Sequence, residues 1–255
     1  MNPQKIARVF GVLYLITFIT SIPAAFIFYA PVLGDPRYIL GAGADTGVQW
    51  GAFLEMILII ANIGTAVVLY PILKRQNEIL ILGYVTARVI ECVFIAIGLL
   101  SLLTIVTLRQ GATAGADAAS LITASKSLVA LHDWTFLLGP GFMVGIGNGL
   151  ILGYLMYTSR LIPRGLAVLG LIGGPLIIAT GVGAMFGVIE PGGAVQGIAT
   201  IPEFLWELSL GVWPIVMGFN ASALAALSTN PDDGVMRGVE QSVVVPSNGR
   251  VASKG

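Results

Sequence analysis

The sequence has little charge and almost no histidine or cysteine. Only 10% of its 255 residues are Asp, Glu, Lys or Arg, whereas about 25% is usual in soluble domains. The formal net charge is zero, which excludes the basic surface that binds nucleic acid. One histidine and one cysteine exclude multi-histidine metal sites, bis-histidine haem ligation and an internal disulfide. We therefore expect no metal, no cofactor and no nucleic-acid partner.

What the sequence has in abundance is apolar residues, which make up 56% of the chain. They fall into six runs, each long enough for the roughly 20 residues that cross a bilayer as a helix. The runs cover residues 9–29, 50–73, 79–108, 128–157, 166–189 and 199–227. The prediction is an all-α polytopic membrane protein, with a bundle of six transmembrane helices in residues 1–228. Residues 229–255 are predicted to form a disordered cytoplasmic tail.

Basic residues favour one set of inter-helix loops. Those near the ends of the apolar runs on that side are Lys5, Arg8, Lys74, Arg75, Arg160 and Arg164. Because cytoplasmic loops of membrane proteins are enriched in Lys and Arg, both termini are predicted to be cytoplasmic.

Glycine recurs at every fourth position along the fourth apolar run, at Gly141, Gly145, Gly149 and Gly153. Small residues at this spacing let helix backbones approach closely inside a membrane. The pattern predicts tight helix packing, and it leaves a homo-oligomer possible.

Seven ionisable side chains interrupt the apolar runs: Glu55, Arg88, Glu91, His132, Asp133, Glu203 and Glu207. A charged side chain at the bilayer centre costs about 2.5 to 3.5 kcal/mol on insertion scales, so we expect these groups to face one another in a common cavity in the outer half of the membrane. Arg88 and Glu91 are three residues apart on one helix face and are predicted to form a structural ion pair. Glu203 and Glu207, four apart, also share a face.

The five acids outnumber the cationic partners and cannot all ionise in a low-dielectric cavity. A carboxylic acid that keeps its proton is a proton donor. Our leading hypothesis is an intramembrane enzyme, an isomerase or cyclase, that acts by acid-base chemistry on a lipophilic, isoprenoid or sterol-like substrate. The candidate catalytic residues are Asp133, Glu207, Glu203 and His132. The candidate substrate-binding residues are Trp134, Trp206, Trp213, Glu55 and Asn148.

Two alternatives stay open. A small proton-coupled transporter would use the same carboxylates as a relay, although only neutral groups such as Asn62, Asn148 and Asn220 continue it towards the inner side. A structural or regulatory membrane subunit would use the polar groups and the glycines only to hold helices together.

Three stretches carry a resemblance to a known family: ARVIE at residues 87–91, LHDW at 131–134 and GYLMYTSRLIPRGLAVLGLIGGP at 153–175. They resemble a large bacterial family of six-helix membrane proteins catalogued as a domain of unknown function. The resemblance covers roughly residues 5–227 and implies location in the bacterial inner membrane, but it implies no substrate. An acidic, tryptophan-containing site is also similar in type to membrane-embedded sterol isomerases and terpene cyclases.

Overall fold

A computed structural model describes residues 2–41, 45–112 and 117–228, and the described parts contain helices and no strand. The predicted tail, residues 229–255, lies outside the described residues. The α-helices are α1 (Pro3–Pro23), α2 (Ala30–Gly34), α3 (Thr46–Leu73), α4 (Glu78–Gly111), α5 (Ala118–Phe136), α6 (Gly153–Ser159), α7 (Arg164–Met185), α8 (Ala194–Val216) and α9 (Ala221–Ser228). A 3-10 turn lies at Tyr38–Leu40, and π-helix occurs at Ala24–Phe28, Leu137–Met143 and Gly145–Leu152.

Five continuous segments are long and apolar enough to cross a membrane: Pro3–Phe28, Thr46–Leu73, Glu78–Gly111, Ala118–Ser159 and Arg164–Met185. The fourth joins α5 to α6 through both later π-helical stretches. The chain is therefore a multi-pass, all-α membrane protein, as its composition predicts.

The sixth apolar run is not the single helix that the sequence predicts. Helices α8 and α9 meet the span criterion only as a pair, and the chain bends by 91° between them. Gly218 lies at this bend with φ +72°, a left-handed conformation that glycine adopts without the steric penalty of a Cβ. With the bent pair counted as one span, the number of spans is six.

The spanning segments form a closed ring. Helix α1 packs on α3 and α8, α3 packs on α4, α4 packs on the fourth segment, and that segment packs on α7, which returns to α8. Large apolar side chains such as Ile60, Val67 and Leu100 face outward, as expected for surfaces in contact with lipid tails. The inside of the ring is where polar side chains can meet.

One end of the ring is held together by side-chain amides. Gln4 Nε2 donates to Phe219 O at 2.7 Å, and Phe219 N donates to Gln4 Oε1 at 3.0 Å. Gln76 Nε2 donates to Leu155 O at 3.1 Å. These contacts join the start of α1 to the bend between α8 and α9, and the α3–α4 turn to the end of the fourth segment. The basic residues that the sequence groups on one side therefore lie at one end of the bundle.

Helix starts follow from local sequence. Asn77 Oδ1 accepts from Leu80 N at 3.0 Å at the start of α4, and Asp117 accepts from the backbone N–H groups of Ala119 and Ser120 at the start of α5. Such caps satisfy donors that have no partner within the helix. Hydrogen bonds from the Ser120 hydroxyl and these N–H groups lower the pKa of Asp117 below its ordinary value.

Three glycines of the fourth segment, Gly145, Gly149 and Gly153, lie against α7. A Cβ on Gly145 would lie 2.8 Å from Gly174 O, and a Cβ on Gly174 would lie 2.6 Å from Gly145 O. The two backbones are therefore in direct contact, as the glycine spacing predicts. This contact brings the fourth segment and α7 close to α8.

Candidate functional site

An ion pair and an amide form a triangle between α3 and α4. Arg88 Nη1 lies 2.7 Å from Glu91 Oε2, and Arg88 Nη2 donates to Asn62 Oδ1 at 2.5 Å. The third side is Asn62 Nδ2, which donates to Glu91 Oε1 at 3.1 Å. All three side chains are buried. Each charge thus has its opposite charge and an amide as partners, which is the condition for a buried ion pair to be tolerated.

Hydroxyl groups continue from this triangle towards the C-terminal end of α3. Arg88 Cζ lies 5.7 Å from the centroid of the Tyr14 ring, and the Tyr14 and Tyr84 hydroxyl oxygens are 3.1 Å apart. Thr65 Oγ1 lies 3.4 Å from the Tyr84 hydroxyl. Tyr14, Tyr84 and Thr65 are buried, so α1 joins α3 and α4 around the arginine.

Helix α8 brings two residues against the π-helical part of the fourth segment. Asn148 Nδ2 donates to Glu207 Oε1, and Trp206 Nε1 donates to Asn148 O at 2.9 Å. Trp206 and Asn148 are completely buried. Trp206 fits because Gly170 of α7 has no side chain: a Cβ there would lie 2.6 Å from Trp206 Nε1.

Glu203, one turn before Glu207, is only 2% exposed, and neither carboxyl oxygen has a hydrogen-bond partner. The carboxyl group lies between two glycine backbones. A Cβ on Gly149 would lie 2.9 Å from Glu203 Oε2, and a Cβ on Gly173 would lie 2.8 Å from the same atom. The side-chain oxygen of Asn148, next in sequence to Gly149, also has no partner. Buried acceptors without donors are rare in folded proteins.

These residues form one electrostatic unit, which we call the central cluster: Asn62, Arg88, Glu91, Asn148, Glu203 and Glu207. Glu203 and Glu207 lie one turn apart on α8, and Asn148 holds Glu207. A Cβ on Gly147 would lie 2.9 Å from Ala87 Cβ, so the neighbouring residues Asn148 and Arg88 lie where the fourth segment packs on α4. With all three carboxyl groups ionised, the cluster would carry two uncompensated negative charges inside the bundle. Such charges are strongly unfavourable at low dielectric without a proton or a cation to neutralise them.

A second polar group lies nearer the N-terminal end of α3. The Tyr29 hydroxyl donates to Glu55 Oε2 at 2.8 Å, and the Tyr29 and His132 rings meet edge to face, with centroids 5.9 Å apart. Glu55 precedes Asn62 by seven residues on α3, which is about 10 Å along the helix axis. The seven ionisable groups therefore occupy separate levels of the bundle rather than the common cavity that we expected.

Asp133, Trp134 and Trp213 lie away from the central cluster. Asp133 Oδ1 is 3.5 Å from His132 Nδ1, and its side chain is 66% exposed. It borders a cleft lined also by Val32, Leu33, Pro36, Ser125, Lys126, Val129 and Ala130. Trp134 is exposed on the outer surface and Trp213 is half-buried. Of the candidate site residues, the structure brings together Glu203, Glu207, Trp206, Asn148, Arg88 and Glu91.

Tyr14, Thr65 and Tyr84 were not among the predicted site residues, and Asn62 was predicted only as a neutral group. A signal for them exists: Tyr84, Arg88 and Glu91 are spaced i, i+4, i+7 on one face of α4, and Asn62 and Thr65 are spaced i, i+3 on α3. Such spacing places side chains on one helix face. Within the part of the chain that the structure describes, no group of three or more His, Cys, Asp or Glu residues could hold a metal ion.

Residues 9–218 match the family DUF4386, a domain of unknown function. The chain belongs to this family. The matched range contains every residue of the central cluster, from Asn62 to Glu207. No curated protein and no solved structure matches the chain.

Proposed function

We propose that this DUF4386 member is a proton-coupled membrane transporter in which Glu203 and Glu207 take up and release the proton. The observation that supports the proposal is the Glu203 carboxyl group, which is buried inside a ring of spanning helices without a hydrogen-bond partner. Ionisable groups at such positions are typical of proton and ion pathways in pumps and transporters.

The neighbouring residues have matching roles in this proposal. Arg88 is held by Glu91 and Asn62, so its positive charge stays fixed beside the two exchanging acids. Asn148 holds Glu207 through its amide N–H. The hydroxyl groups of Tyr14, Tyr84 and Thr65 extend one way, and Glu55, Tyr29 and His132 lie the other way, so polar groups cover about 15 Å along α3 between Glu55 and Thr65.

Proton exchange can be tested on the purified protein by infrared difference spectroscopy during a pH titration. We expect a C=O stretching band of a protonated carboxylic acid that disappears at alkaline pH. The band loses intensity in Glu203→Gln and Glu207→Gln and is retained in Asp133→Asn, the matched exposed acid. A spectrum in which neither Glu203→Gln nor Glu207→Gln changes a titrating band would contradict the proposal.

Transport can be tested in proteoliposomes that contain a pH-sensitive dye. Salts of monovalent and divalent cations, amino acids and sugars are added outside, one at a time. We expect at least one of them to drive a sustained internal pH change with wild type and none with Glu203→Gln. If no solute drives proton movement and the carboxyl groups do not titrate, the transporter proposal is rejected. That result would favour a structural subunit.

The intramembrane enzyme is the second candidate, and one observation favours it: Glu203, Glu207, Trp206 and Asn148 meet at one place. One acid would add a proton to an alkene carbon of a lipophilic substrate and the other would remove a proton elsewhere, so the product would be an isomer of equal mass. The aromatic face of Trp206 would stabilise the cationic intermediate. His132 and Asp133 lie outside this site and would take no part.

Comparison of apolar extracts by mass spectrometry separates the enzyme from the transporter. Cells expressing wild type are compared with cells expressing Glu207→Gln at equal membrane levels. An isomer that is present only with wild type would establish the enzyme. Matching extracts, together with proton movement in liposomes, would establish the transporter.

We also propose that the end of the bundle bearing Lys74, Arg75, Arg160 and Arg164 faces the cytoplasm of a bacterial cell, because positive charge favours that side. Cys92, the one cysteine of the chain, is buried and gives a low labelling background. We expect Arg75→Cys to react with a membrane-impermeant maleimide in broken cells but not in intact cells. Equal reaction in both would reverse the orientation.

A further inference from the structure

The central cluster contains three acceptor atoms that lack a donor: Glu203 Oε1, Glu203 Oε2 and Asn148 Oδ1. Both side chains are at least nine-tenths buried. They come from different segments, and Glu203 Oε2 lies against Gly149, the residue after Asn148. Arg88 Nε, in the same cluster, also has no partner, but one N–H donor cannot satisfy three acceptors. An unpaired buried acceptor costs about 1 to 3 kcal/mol, so the excess of acceptors over donors indicates a missing positive partner.

One proton does not satisfy this set. A proton on Glu203 turns one carboxyl oxygen into a donor, which can satisfy at most one of the other two acceptors, so at least one atom stays without a partner. A cation, by contrast, accepts several oxygen ligands at once. Carboxylate and amide oxygens are the ligands that hard cations prefer.

The charge of the cluster limits which cation fits. Glu91 neutralises Arg88, and the remaining acids are Glu203 and Glu207. Both carboxyl oxygens of Glu203 are unpaired, whereas Glu207 accepts from the Asn148 amide, and the described residues contain no group of three or more His, Cys, Asp or Glu side chains that could hold a metal ion. One unpaired carboxylate and one neutral amide oxygen therefore suit a monovalent cation better than a divalent one. In membrane transporters, Na⁺ is typically bound by a few oxygen ligands at irregular helix segments. Asn148 lies in the π-helix Gly145–Leu152, a departure from α-helical geometry of a kind that is frequent at functional sites.

We infer that Glu203, Asn148 and Glu207 form a binding site for a monovalent cation of the size of Na⁺, and that the cation and the proton compete for Glu203. This inference rests on the proposed function and specifies it as Na⁺/proton exchange. Glu203 and Asn148 supply the unpaired oxygens, and Glu207 supplies a neighbouring negative charge held by the Asn148 amide. Arg88, Glu91, Tyr14 and Tyr84 surround this site without contributing an unpaired oxygen acceptor.

Trp206 provides an internal reporter for this site, because its indole N–H donates to Asn148 O. A reporter protein with Trp50→Phe, Trp134→Phe and Trp213→Phe keeps Trp206 as the one remaining tryptophan of the four. At alkaline pH, addition of NaCl to this protein in a choline buffer should change its fluorescence in a saturable manner. KCl and choline chloride at equal ionic strength should give a smaller response, and lowering the pH should weaken the apparent Na⁺ affinity.

Variants of the reporter protein define which residues bind the ion. Glu203→Gln and Asn148→Leu should each weaken the apparent Na⁺ affinity by about tenfold or more, equivalent to about 1.4 kcal/mol. Glu55→Gln changes the acid of the second polar group, which lies nearer the N-terminal end of α3. This variant should bind Na⁺ with the same affinity as the reporter protein. Elution as a single monodisperse peak identifies the variants that are folded and can be compared.

The outcomes separate this inference from the proposed function. A Na⁺ gradient that drives proton movement in wild-type liposomes, and fails in Glu203→Gln, supports both. Proton movement driven by another solute, with no fluorescence response to Na⁺, overturns the cation site and leaves the transporter intact. A response that is equal in folded Glu203→Gln and in the parent reporter also overturns the site. Na⁺ binding without any proton movement would reject the proton-coupled transporter and not the cation site.

Discussion

Glu203 of α8 and Gly173 of α7 are in direct contact: a Cβ on Gly173 would lie 2.5 Å from Glu203 N and 2.8 Å from Glu203 Oε2. The glycine therefore provides the space that the buried carboxyl group occupies. Its role is steric, because it lies within a helix where its backbone has ordinary helical geometry. The position of Glu203, whose carboxyl oxygens have no hydrogen-bond partner, thus depends on a residue with no side chain.

Gly173→Ala should destabilise the protein, because the added methyl group meets the backbone of Glu203 as well as its side chain. Overpacking of this kind costs about 1 to 3 kcal/mol. Gly165→Ala, in the same helix, is the control, since a Cβ there meets nothing within 4 Å. Melting temperatures in detergent should fall for Gly173→Ala and stay at the wild-type value for Gly165→Ala. Equal melting temperatures for the two variants would show that α7 and α8 do not approach as described.

Arg88→Met should lower the free energy of unfolding by about 3 to 5 kcal/mol, because it leaves Glu91 buried without its cation. Arg88→Met combined with Glu91→Leu should recover part of that loss, since no unpaired charge remains. Unfolding in mixed micelles, followed by circular dichroism, measures both variants. A double variant that is less stable than Arg88→Met would argue that the ion pair has a role beyond compensating its own charges.

Tyr29→Phe should reduce stability by about 1 kcal/mol, because it removes the hydroxyl donor that satisfies Glu55 Oε2. The ring remains, so its edge-to-face contact with His132 is preserved. Tyr154→Phe, on a half-exposed tyrosine, should have a smaller effect in the same unfolding measurement. If the Na⁺ response of Trp206 also disappears in Tyr29→Phe, the two polar levels are not independent.

Asp133→Asn should leave the melting temperature, the titrating infrared band and the Na⁺ response unchanged, because the Asp133 side chain is largely exposed. The enzyme hypothesis, in which Asp133 is a candidate catalytic residue, expects the opposite, a loss of activity in this variant. Measuring Asp133→Asn and Glu207→Gln side by side in each assay decides between the two locations of the functional site. Loss of function in Asp133→Asn alone would place the functional site in the cleft that Asp133 borders.

The start of α5 should loosen in acid. Hydrogen bonds from Ser120 and Ala119 lower the pKa of Asp117, so its stabilising effect is present above the pKa of the unfolded state and is lost as the pH falls through the lower, folded-state value. Hydrogen exchange followed by mass spectrometry should show faster exchange of the first turn of α5 at acid pH. Asp117→Asn should remove most of this pH dependence. A pH dependence that persists in the variant would assign it to another group.

The helices were predictable from the sequence because bilayer thickness and hydropathy determine where a spanning helix can lie. The contact between Arg88 and Glu91 was also predictable, because side chains three positions apart on an α-helix lie on one face. What hydropathy does not encode is the order of helices around the ring. For that reason the meeting of Asn62 with Arg88, and of Asn148 with Glu207, appears only in the structure.

The separation of Asp133 from the central cluster has a specific physical origin. The fourth segment changes from α-helix to π-helix after Phe136, and a π-helix has more residues per turn than an α-helix. A helical wheel drawn at 3.6 residues per turn from His132 to Asn148 therefore predicts the wrong faces. The polar residue of this segment that reaches the central cluster is Asn148, in the π-helical part, whereas Asp133 points to the outside.

The π-helical stretch Gly145–Leu152 also gives the fourth segment an adjustable length. Backbone hydrogen bonds that run from i to i+5 can be exchanged for bonds from i to i+4 without leaving the backbone unpaired, because each residue still has one donor and one acceptor in the helix. Each such exchange winds the segment more tightly and rotates the residues beyond it about the helix axis. Asn148 lies within this stretch and holds Glu207. Rewinding by a single residue would therefore rotate the Asn148 amide away from the Glu207 carboxyl group. The segment would continue to span the membrane during this change.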